Sequence, residues 1–398
     1  MNICVNMKQL CLRLAALIFC VALVLTSMSC QANPNAEAQG SETLEASCAT
    51  TVAETETLSP EAQLTLERED YLATVTYRNF VLTGEETPYF VGRWFDKEIQ
   101  KETHKVTLTD GAHLYFLIEN ATSFDVNFTV ITTGEEPYFA YSIDGAEPVR
   151  QHITQPTVTL PDAGRHTVRI IADGMTEGEG KWNREKGFAL KSVTPAEGGC
   201  IVGIKPTEKV IFFYGDSITE GIRALNMNAT SDGNSATNAY SWQCAETLGV
   251  TPYLVGYGAS GMIATGSFST MKNAIDYMSR DREVGETPTP DVIVINHGTN
   301  DGGYASDVFG EALVDTLTHL RETYPNAPIV YLIPFNQAQA RAIRDTLSTM
   351  ENAYVIETRG WKITYTDGVH PDAAGAKVAG GLLADQLTSI FGQDFFKS

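Results

Sequence analysis

Basic side chains are scarce in this sequence. Its 398 residues include 28 lysines and arginines against 49 aspartates and glutamates, a formal net charge of −21. Nucleic acids and anionic membranes attract proteins through positive surfaces, so this balance argues against either one as a partner. An acidic chain of this kind suits an exported protein that handles neutral substrates.

Cysteine is also sparse, and no CxxC pair or Cys/His ligand spacing occurs among the seven cysteines. The sequence therefore indicates neither a zinc site nor a disulfide framework, and it implies no metal or organic cofactor. A bridge between Cys200 and Cys244 is one alternative. Two buried thiols are the more frequent outcome for isolated cysteines, and this is what we expect.

An apolar run long enough to cross a bilayer is absent. The run "LAALIFCVALVL" is shorter than the roughly 20 residues that a membrane-spanning helix needs. Lys8 and Arg13 precede it and "TSMSC" follows, which together predict an export signal over residues 1–29. Cys30 then stands where a bacterial lipoprotein carries its lipid, although Ser27 replaces the usual leucine; ordinary cleavage after Ala32 is the alternative.

Removal of residues 1–29 takes away two basic side chains and no acidic ones. This leaves 26 of the 28 basic residues against 49 acidic ones, a net charge of −23. Residues 30–67 are polar, acidic and weakly periodic, and we predict a tether there. Contact with a membrane is then expected only through a lipid on Cys30.

Residues 68–200 carry the pattern of an all-β domain. Segments such as "HKVTLTDGAHLYFLIENA" alternate apolar and polar residues, and Asp-Gly and Ala-Gly turns separate them at the spacings of a β-sandwich. One strand is predicted to face inward through His166, Val168 and Ile170. The four histidines of this region lack ligand spacing, and we interpret them as strand-face or surface residues: His104, His113, His152 and His166.

From residue 205 to 398 the pattern of apolar residues changes. Five apolar runs, "KVIFFYG", "TPYLVGYG", "DVIVINHG", "PIVYLIPF" and "AYVIETR", alternate with segments of helical pattern at 238–249, 269–280, 306–323, 336–350 and 371–391. This alternation predicts a parallel sheet that is covered by helices on both faces. Reactive groups of such folds collect beyond the carboxyl ends of the strands, where Gly215, Gly258 and Gly298 fall.

The stretch "GDSITEG" at 215–221 has two interpretations. Short oxygen side chains such as Asp216 and Ser217 commonly cap a helix, and on that view the segment is an ordinary strand-to-helix turn. Alternatively, Ser217 is a nucleophile at the carboxyl end of a strand. In that case Asp216 anchors the turn and takes no part in the reaction.

Three further segments favour the second interpretation: "GYGASG" at 256–261, "GTND" at 298–301 and "DGVHP" at 367–371. Each one taken alone has a structural explanation, such as a bend or a charged pair beside a helix start. Together, in this order, they resemble the SGNH or GDSL hydrolases over residues 208–392. The resemblance implies an α/β/α hydrolase domain with a flavodoxin-like parallel sheet.

The resemblance also assigns roles. A serine hydroxyl attacks a carbonyl only when a base removes its proton, and His370 would be that base for Ser217. Asp367 would hold the imidazole in the correct tautomer. The negative charge that develops on the carbonyl oxygen would be met by the N–H groups of Ser217 and Gly258 and by the side-chain amide of Asn300.

The β-region narrows the substrate class. The segments "VGRW", "YFAYSIDGA", "LPDAGRHTVRI" and "KGFALKSV" in that order are similar to carbohydrate esterase family 2, in which a jelly-roll sandwich precedes the SGNH domain. This similarity implies removal of acetyl groups from polysaccharides such as xylan or glucomannan. Trp361 is our candidate for a sugar platform, with core or lid packing as the alternative. His297 is expected to shape the pocket, and His319 to be solvated.

Three functions stay open at this point. The first is an esterase that removes O-acetyl groups from a polysaccharide. The second is an acylhydrolase that acts on lipids or thioesters, with the sandwich as a spacer. The third is an inactive surface lipoprotein that binds glycans, which the intact set of five catalytic residues argues against.

Overall fold

The computed structural model describes residues 58–397, and its first element is a helix. Helix α1 (Pro60–Thr74), which the sequence analysis did not predict, crosses the boundary at residue 67 between the predicted tether and the all-β domain. Proline at the first helical position and Glu61 in the first turn favour a helix start. The predicted signal, Cys30 and Cys48 lie outside the described residues.

An antiparallel β-sandwich follows, and its last strand runs beyond the predicted boundary at residue 200. One sheet has the order β1-β12-β5-β10-β7-β8 with β2 beside β5, and the other has the order β3-β4-β11-β6-β9. A short helix, α2, lies between β10 and β11. The elements are β1 (Phe80–Leu82), β2 (Tyr89–Val91), β3 (Phe95–Ile99), β4 (Glu102–Thr107), β5 (His113–Glu119), β6 (Ser123–Val130), β7 (Tyr138–Ile143), β8 (Val149–His152), β9 (Thr157–Thr159), β10 (His166–Gly174), α2 (Lys181–Arg184), β11 (Phe188–Pro195) and β12 (Cys200–Pro206).

Strands β5 and β10 are buried on both faces, which their alternating sequence did not indicate. The predicted inward face of β10 is buried, and so are the residues between, including Arg169 and Ile171. One face of each strand packs in the sandwich core. The other face packs on the second domain through Ile171 of β10, and against α1 and β1 through Tyr115 and Leu117 of β5, within the compact unit Leu64–Lys397. Most histidines of this region are therefore interior: His104, His113 and His166 are buried, and His152 is half-buried.

The second domain is the predicted five-stranded parallel sheet, in the order β14-β13-β17-β18-β19. Two further strands, β15 and β16, form a separate hairpin. The elements are β13 (Val210–Gly215), α3 (Ser217–Glu220), a 3₁₀ turn (Ala236–Asn238), α4 (Tyr240–Leu248), β14 (Thr251–Gly256), α5 (Met271–Asp276), β15 (Tyr277–Ser279), β16 (Arg282–Glu283), β17 (Val292–Asn296), α6 (Ser306–Thr323), β18 (Ile329–Leu332), α7 (Ala340–Leu347), β19 (Ala353–Ile356) and α8 (Ala373–Phe391).

Two predicted helices are shorter than their sequence patterns. The segment 269–280 turns into strand β15 after α5, and the peptide of Tyr277 accepts a hydrogen bond from the buried Arg93 of the sandwich domain. The segment 336–350 is helical only from Ala340, because Gln337 and Gln339 have φ values of +63° and +55°, in the left-handed region. The apolar periodicity extends over residues that tertiary contacts hold in other conformations.

The sandwich and the second domain meet through charge and aromatic contacts. Arg169 of β10 lies over the Trp242 ring at 4.9 Å and donates to Glu246 of α4 at 2.7 Å, and Arg78 donates to the same carboxylate at 3.0 Å. His113 packs edge-on against Trp242, and burial lowers the pKa of this histidine to about 3. The interface therefore fixes one domain on the other through buried side chains.

The two described cysteines are both free thiols. Cys244 is fully buried as expected, whereas Cys200 is only half-buried and donates to Glu119 at 3.3 Å. The alternative of a bridge between them is therefore not the state of this structure. Within residues 58–397, the helices are too short or too polar for a membrane span.

Candidate active site

The nucleophile candidate lies in a tight turn between β13 and α3. Asp216 caps α3 by accepting the Ile218 N–H at 3.0 Å, and Ser217 is the first helical residue. A side chain at Gly215 would overlap Thr219, and Gly221 ends α3 with a φ of +86°. Helix α3 has only four residues. The turn therefore presents Ser217 at the carboxyl edge of the sheet.

The structure brings Ser217, His370 and Asp367 into one hydrogen-bonded line. The Ser217 Oγ lies 2.9 Å from His370 Nε2, and His370 Nδ1 lies 2.8 Å from Asp367 Oδ2. The other carboxylate oxygen of Asp367 accepts the backbone N–H groups of Val369 and His370 at 3.0 and 2.8 Å. The short segment before α8 is thus folded around the carboxylate.

Asp367 has a further partner that the sequence did not suggest. Arg223 Nη1 donates to Asp367 Oδ2 at 2.8 Å, and Arg223 Nη2 donates to Glu177 of the sandwich at 2.9 Å. Burial alone would raise the pKa of Asp367, but the hydrogen bonds from His370, Val369 and Arg223 hold it well below its usual range. Asp367 is therefore a stable anion beside the imidazole.

The three predicted oxyanion donors differ in the hydrogen bonds that they already make. The Ser217 N–H belongs to the first turn of α3, where amides lack partners within the helix. The Asn300 amide donates to the Ser260 carbonyl at 3.0 Å and lies 3.5 Å from Asp216. The Gly258 N–H donates to Glu220 Oε2 at 2.6 Å. This N–H is thus already engaged, and its role as an oxyanion donor stays a prediction.

Glu220 belongs to a buried charged cluster that joins the two domains. Lys181 of α2 bonds to Glu220 and lies 3.6 Å from Asp110 of the sandwich. All three side chains are 3% exposed or less. Burial raises the pKa of Asp110, although Lys181 opposes this effect. We call Asp110, Lys181 and Glu220 the buried charged cluster.

The loop after β14 is held by a carboxylate that the sequence analysis also missed. Asp301 is fully buried and accepts the N–H groups of Met262, Ile263 and Ala264 at 2.9 to 3.0 Å. Its position as the last residue of "GTND" was the available signal. His297 is buried nearby; burial lowers its pKa to about 4, against the opposing effect of Asp301. The role of His297 in shaping the pocket stays a prediction.

Three further residues from the sequence analysis are Trp361, Asp216 and His319. Trp361 is half-buried and its ring centroid lies 6.2 Å from that of Phe335, so it packs against the domain core. Its role as a sugar platform stays a prediction. Burial raises the pKa of Asp216, beneath Ser217, to about 7. His319 is half-buried and bonded to Asp276 at 2.7 Å, which corrects its assignment as a solvated residue.

Comparison with known proteins identifies one family model and several solved structures that are similar to this chain. The model of the GDSL-like Lipase/Acylhydrolase family matches residues 213–378. No curated protein sequence matches the chain significantly. Several solved structures share its fold across both domains, at low sequence identity.

Three of these structures illustrate the match. A carbohydrate esterase family 2 enzyme with a carbohydrate binding domain from Corynascus thermopiles (Myceliophthora fergusii) is 22% identical, with 77% of this chain and 100% of that chain covered and a TM-score of 0.60. A family two carbohydrate esterase from Clostridium thermocellum, in complex with cellohexaose, is 18% identical over 77% and 99%, with a TM-score of 0.62. An acetyl xylan esterase from Butyrivibrio proteoclasticus is 16% identical over 80% and 100%, with a TM-score of 0.57.

The family match spans the turn of Ser217, the "GTND" segment and the loop of His370, and the fold match extends through the sandwich. These findings confirm the resemblance that the sequence segments indicated. Residues 213–378 match the model of the GDSL-like lipase/acylhydrolase family, and the chain shares the two-domain fold of solved carbohydrate esterase family 2 enzymes.

Proposed function

We propose that this protein is a serine esterase that removes short acyl groups, chiefly O-acetyl groups, from polysaccharides such as xylan or glucomannan. The observation that carries the proposal is the hydrogen-bonded line from Ser217 through His370 to Asp367. The domain's family and the fold shared with carbohydrate esterases, one of them described as an acetyl xylan esterase, support the substrate class.

In the proposed reaction, His370 Nε2 takes the proton of Ser217 as Oγ attacks the ester carbonyl carbon. The tetrahedral intermediate collapses, the sugar oxygen leaves with the proton from His370, and the acyl group stays on Ser217. Water then attacks the acyl-enzyme with His370 as base, and acetate leaves. Asp367 orients the ring and stabilises the imidazolium in both halves.

The oxyanion of each intermediate would be met by the Ser217 N–H and by the Asn300 amide, which would exchange its longer contact with Asp216 at 3.5 Å for the oxyanion. Preset donors of this kind are usually the largest catalytic contribution, about 3 kcal/mol each. Gly258 would add its N–H only after Glu220 releases it. We therefore expect two donors to carry most of this stabilisation.

Acetate release from acetylated xylan, glucomannan and pectin tests the proposal, with Ser217→Ala as the matched control. Wild-type protein should release acetate from at least one of them. Ser217→Ala should release none and should keep the thermal midpoint of the wild type. Equal release by both proteins would exclude Ser217 as the nucleophile.

A second comparison separates the alternative acylhydrolase. Turnover of p-nitrophenyl acetate should exceed that of p-nitrophenyl decanoate, because we expect a site for a short acyl group. A preference for decanoate would favour an enzyme that acts on lipids or thioesters. Glycan binding without hydrolysis of any ester would favour the inactive lipoprotein.

We also propose export, with a lipid on Cys30. The support is the sequence alone: Lys8 and Arg13 before an apolar run, and small residues before Cys30. Metabolic labelling with a radioactive fatty acid should mark the wild type and leave Cys30→Ser unlabelled. Secretion of unlabelled wild-type protein would favour ordinary cleavage after Ala32.

A further inference from the structure

Arg223 is held in place by the sandwich domain. Its backbone has a φ of +54°, a conformation that costs a residue with a side chain roughly 1 kcal/mol. The Arg223 N–H donates to the Asn234 Oδ1 at 2.8 Å, and the Asn234 side chain donates in turn to the carbonyl of Met175 in the sandwich. Neighbouring contacts therefore determine where this guanidinium lies.

The rest of the segment 223–237 is also bonded to the sandwich. Arg150 donates to the Asn234 carbonyl at 2.8 Å, and the Glu177 N–H donates to the Ala229 carbonyl at 2.8 Å. The fully buried Asp173 accepts from the N–H and the hydroxyl of Thr237. One wall beside Asp367 is thus fixed by residues of the sandwich.

From these contacts we propose that Glu177 and Arg223 are positioning residues for the esterase proposed above, on which this inference rests. Arg223 fixes the Asp367 oxygen that faces His370, and it withdraws negative charge from that oxygen. Glu177 holds the far side of the guanidinium and balances its charge. The sandwich would thereby tune the proton transfer that occurs in the other domain.

The signs of the two charges give opposite predictions. A positive charge near the imidazole opposes its protonated form, and a negative charge favours it. Loss of the Arg223 charge should therefore move the acid limb of the kcat/KM profile to higher pH. Loss of the Glu177 charge leaves the guanidinium unbalanced and should move the same limb to lower pH.

The other charged groups around the hydrogen-bonded line from Ser217 to Asp367 are the same in the Glu177 and Arg223 variants. Asp216 lies beneath Ser217, and Asp372 caps α8 through Gly375 and bonds to Thr364. Asp367 itself keeps its charge in both variants. Opposite movements of the acid limb therefore report the Glu177–Arg223 pair, whereas a loosened fold would move both variants in one direction or neither.

The test compares Glu177→Gln, Arg223→Gln and Arg223→Lys in the full chain. We expect shifts of about half a pH unit, downward for Glu177→Gln and upward for Arg223→Gln, with Arg223→Lys close to the wild type. The KM for the ester should change less than twofold, since neither residue is assigned to the substrate.

Arg165→Gln is the matched control. Arg165 and Arg223 are both 28% exposed, and each joins two carboxylates, but the partners of Arg165 are Glu67 and Glu119, away from Asp367. This control should leave the acid limb unchanged. Shifts of the same sign in Glu177→Gln and Arg223→Gln, or no shift in either, would overturn the inference.

Titration of His370 by NMR of histidine-labelled protein gives a second measurement that needs no turnover. The imidazole should titrate at lower pH in Glu177→Gln and at higher pH in Arg223→Gln. If the wild type hydrolyses no ester but the titration moves in opposite directions, the proposed function fails and the positioning role stands. If turnover is present and the titration does not move, the positioning role fails alone.

Discussion

The two sides of Ser217 are tied to the sandwich by different kinds of contact. On the proton-transfer side, Asp367 is held by Arg223 and Glu177, whose side chains are each 28% exposed. On the proposed oxyanion side, the Gly258 N–H donates to Glu220 of the buried charged cluster, in which Lys181 and Asp110 are 1% exposed. The sandwich therefore contacts the Asp367 side of Ser217 through partly exposed charges, and the Gly258 side through buried charges.

This difference separates effects on function from effects on stability. Exposed ion pairs contribute about 0–1 kcal/mol to folding, because water and salt screen them. Breaking a buried pair is costlier, since the remaining charge has no partner. Changes on the proton-transfer side should therefore appear mainly in kinetics, and changes in the buried cluster mainly in unfolding.

The largest effect should come from the proton-transfer line itself. His370→Ala removes the base, and we expect kcat/KM to fall by about 10⁴-fold or more. Asp367→Asn keeps the shape but loses the carboxylate, so its loss should be smaller. Initial rates with p-nitrophenyl acetate measure both. A greater loss in Asp367→Asn than in His370→Ala would show that the roles are misassigned.

The next effect tests the oxyanion side without disturbing the buried cluster. Asn300→Ala removes one proposed donor, and we expect kcat to fall about 10²–10³-fold, with little change in KM. Asn326→Ala, at an exposed position on the loop before β18, is the control and should keep full activity. If Asn300→Ala retained most of its kcat, the donor would have to be sought elsewhere, with the Gly258 N–H as the first candidate.

The sequence was most informative where one periodicity governs a whole element. All five apolar runs of the second domain became parallel strands, and α6 spans the predicted range 306–323. The strand ends also placed Gly215, Gly258 and Gly298 at one edge of the sheet, because the carboxyl ends of parallel strands meet there. His370 lies beyond the last strand, and its role came from the resemblance to SGNH hydrolases. These predictions needed no knowledge of how the two domains pack.

The sequence was least informative where a side chain's role depends on the other domain. Arg223 and Glu220 stand close to Ser217 in the chain, but their partners Glu177 and Lys181 come from the sandwich, which has no sequence relation to that turn. The two-sided burial of β10 has the same origin. An alternating strand predicts one buried face, and only the tertiary fold decides what covers the other.

A smaller effect compares how much the sandwich contacts on the two sides of Ser217 contribute to stability. Lys181→Met leaves Glu220 and Asp110 buried without a cation, and we expect the free energy of unfolding to fall by about 3 kcal/mol. Arg223→Gln removes a partner that is 28% exposed, while Asp367 keeps its two backbone donors, so the change should cost about 1 kcal/mol or less. Urea unfolding at neutral pH measures both. Equal losses in the free energy of unfolding would show that burial does not make the Lys181 contacts more stabilising than those of Arg223.

The smallest expected effect is a difference between Asp110 and Asp367 in how each makes stability depend on pH. Burial raises the pKa of Asp110, so the folded chain keeps a proton that the unfolded chain releases, and this contribution to stability is lost as pH rises above the usual aspartate range. The pKa of Asp367 is lowered, so its contribution is present at neutral pH and is lost as pH falls below about 4. Asp110→Asn should therefore lessen the alkaline loss of thermal midpoint, and Asp367→Asn should lessen the acid loss. If Asp110→Asn destabilised the protein more at pH 8 than at pH 5, Asp110 would have to be ionised in the fold, and the buried cluster would carry a net negative charge beside Gly258.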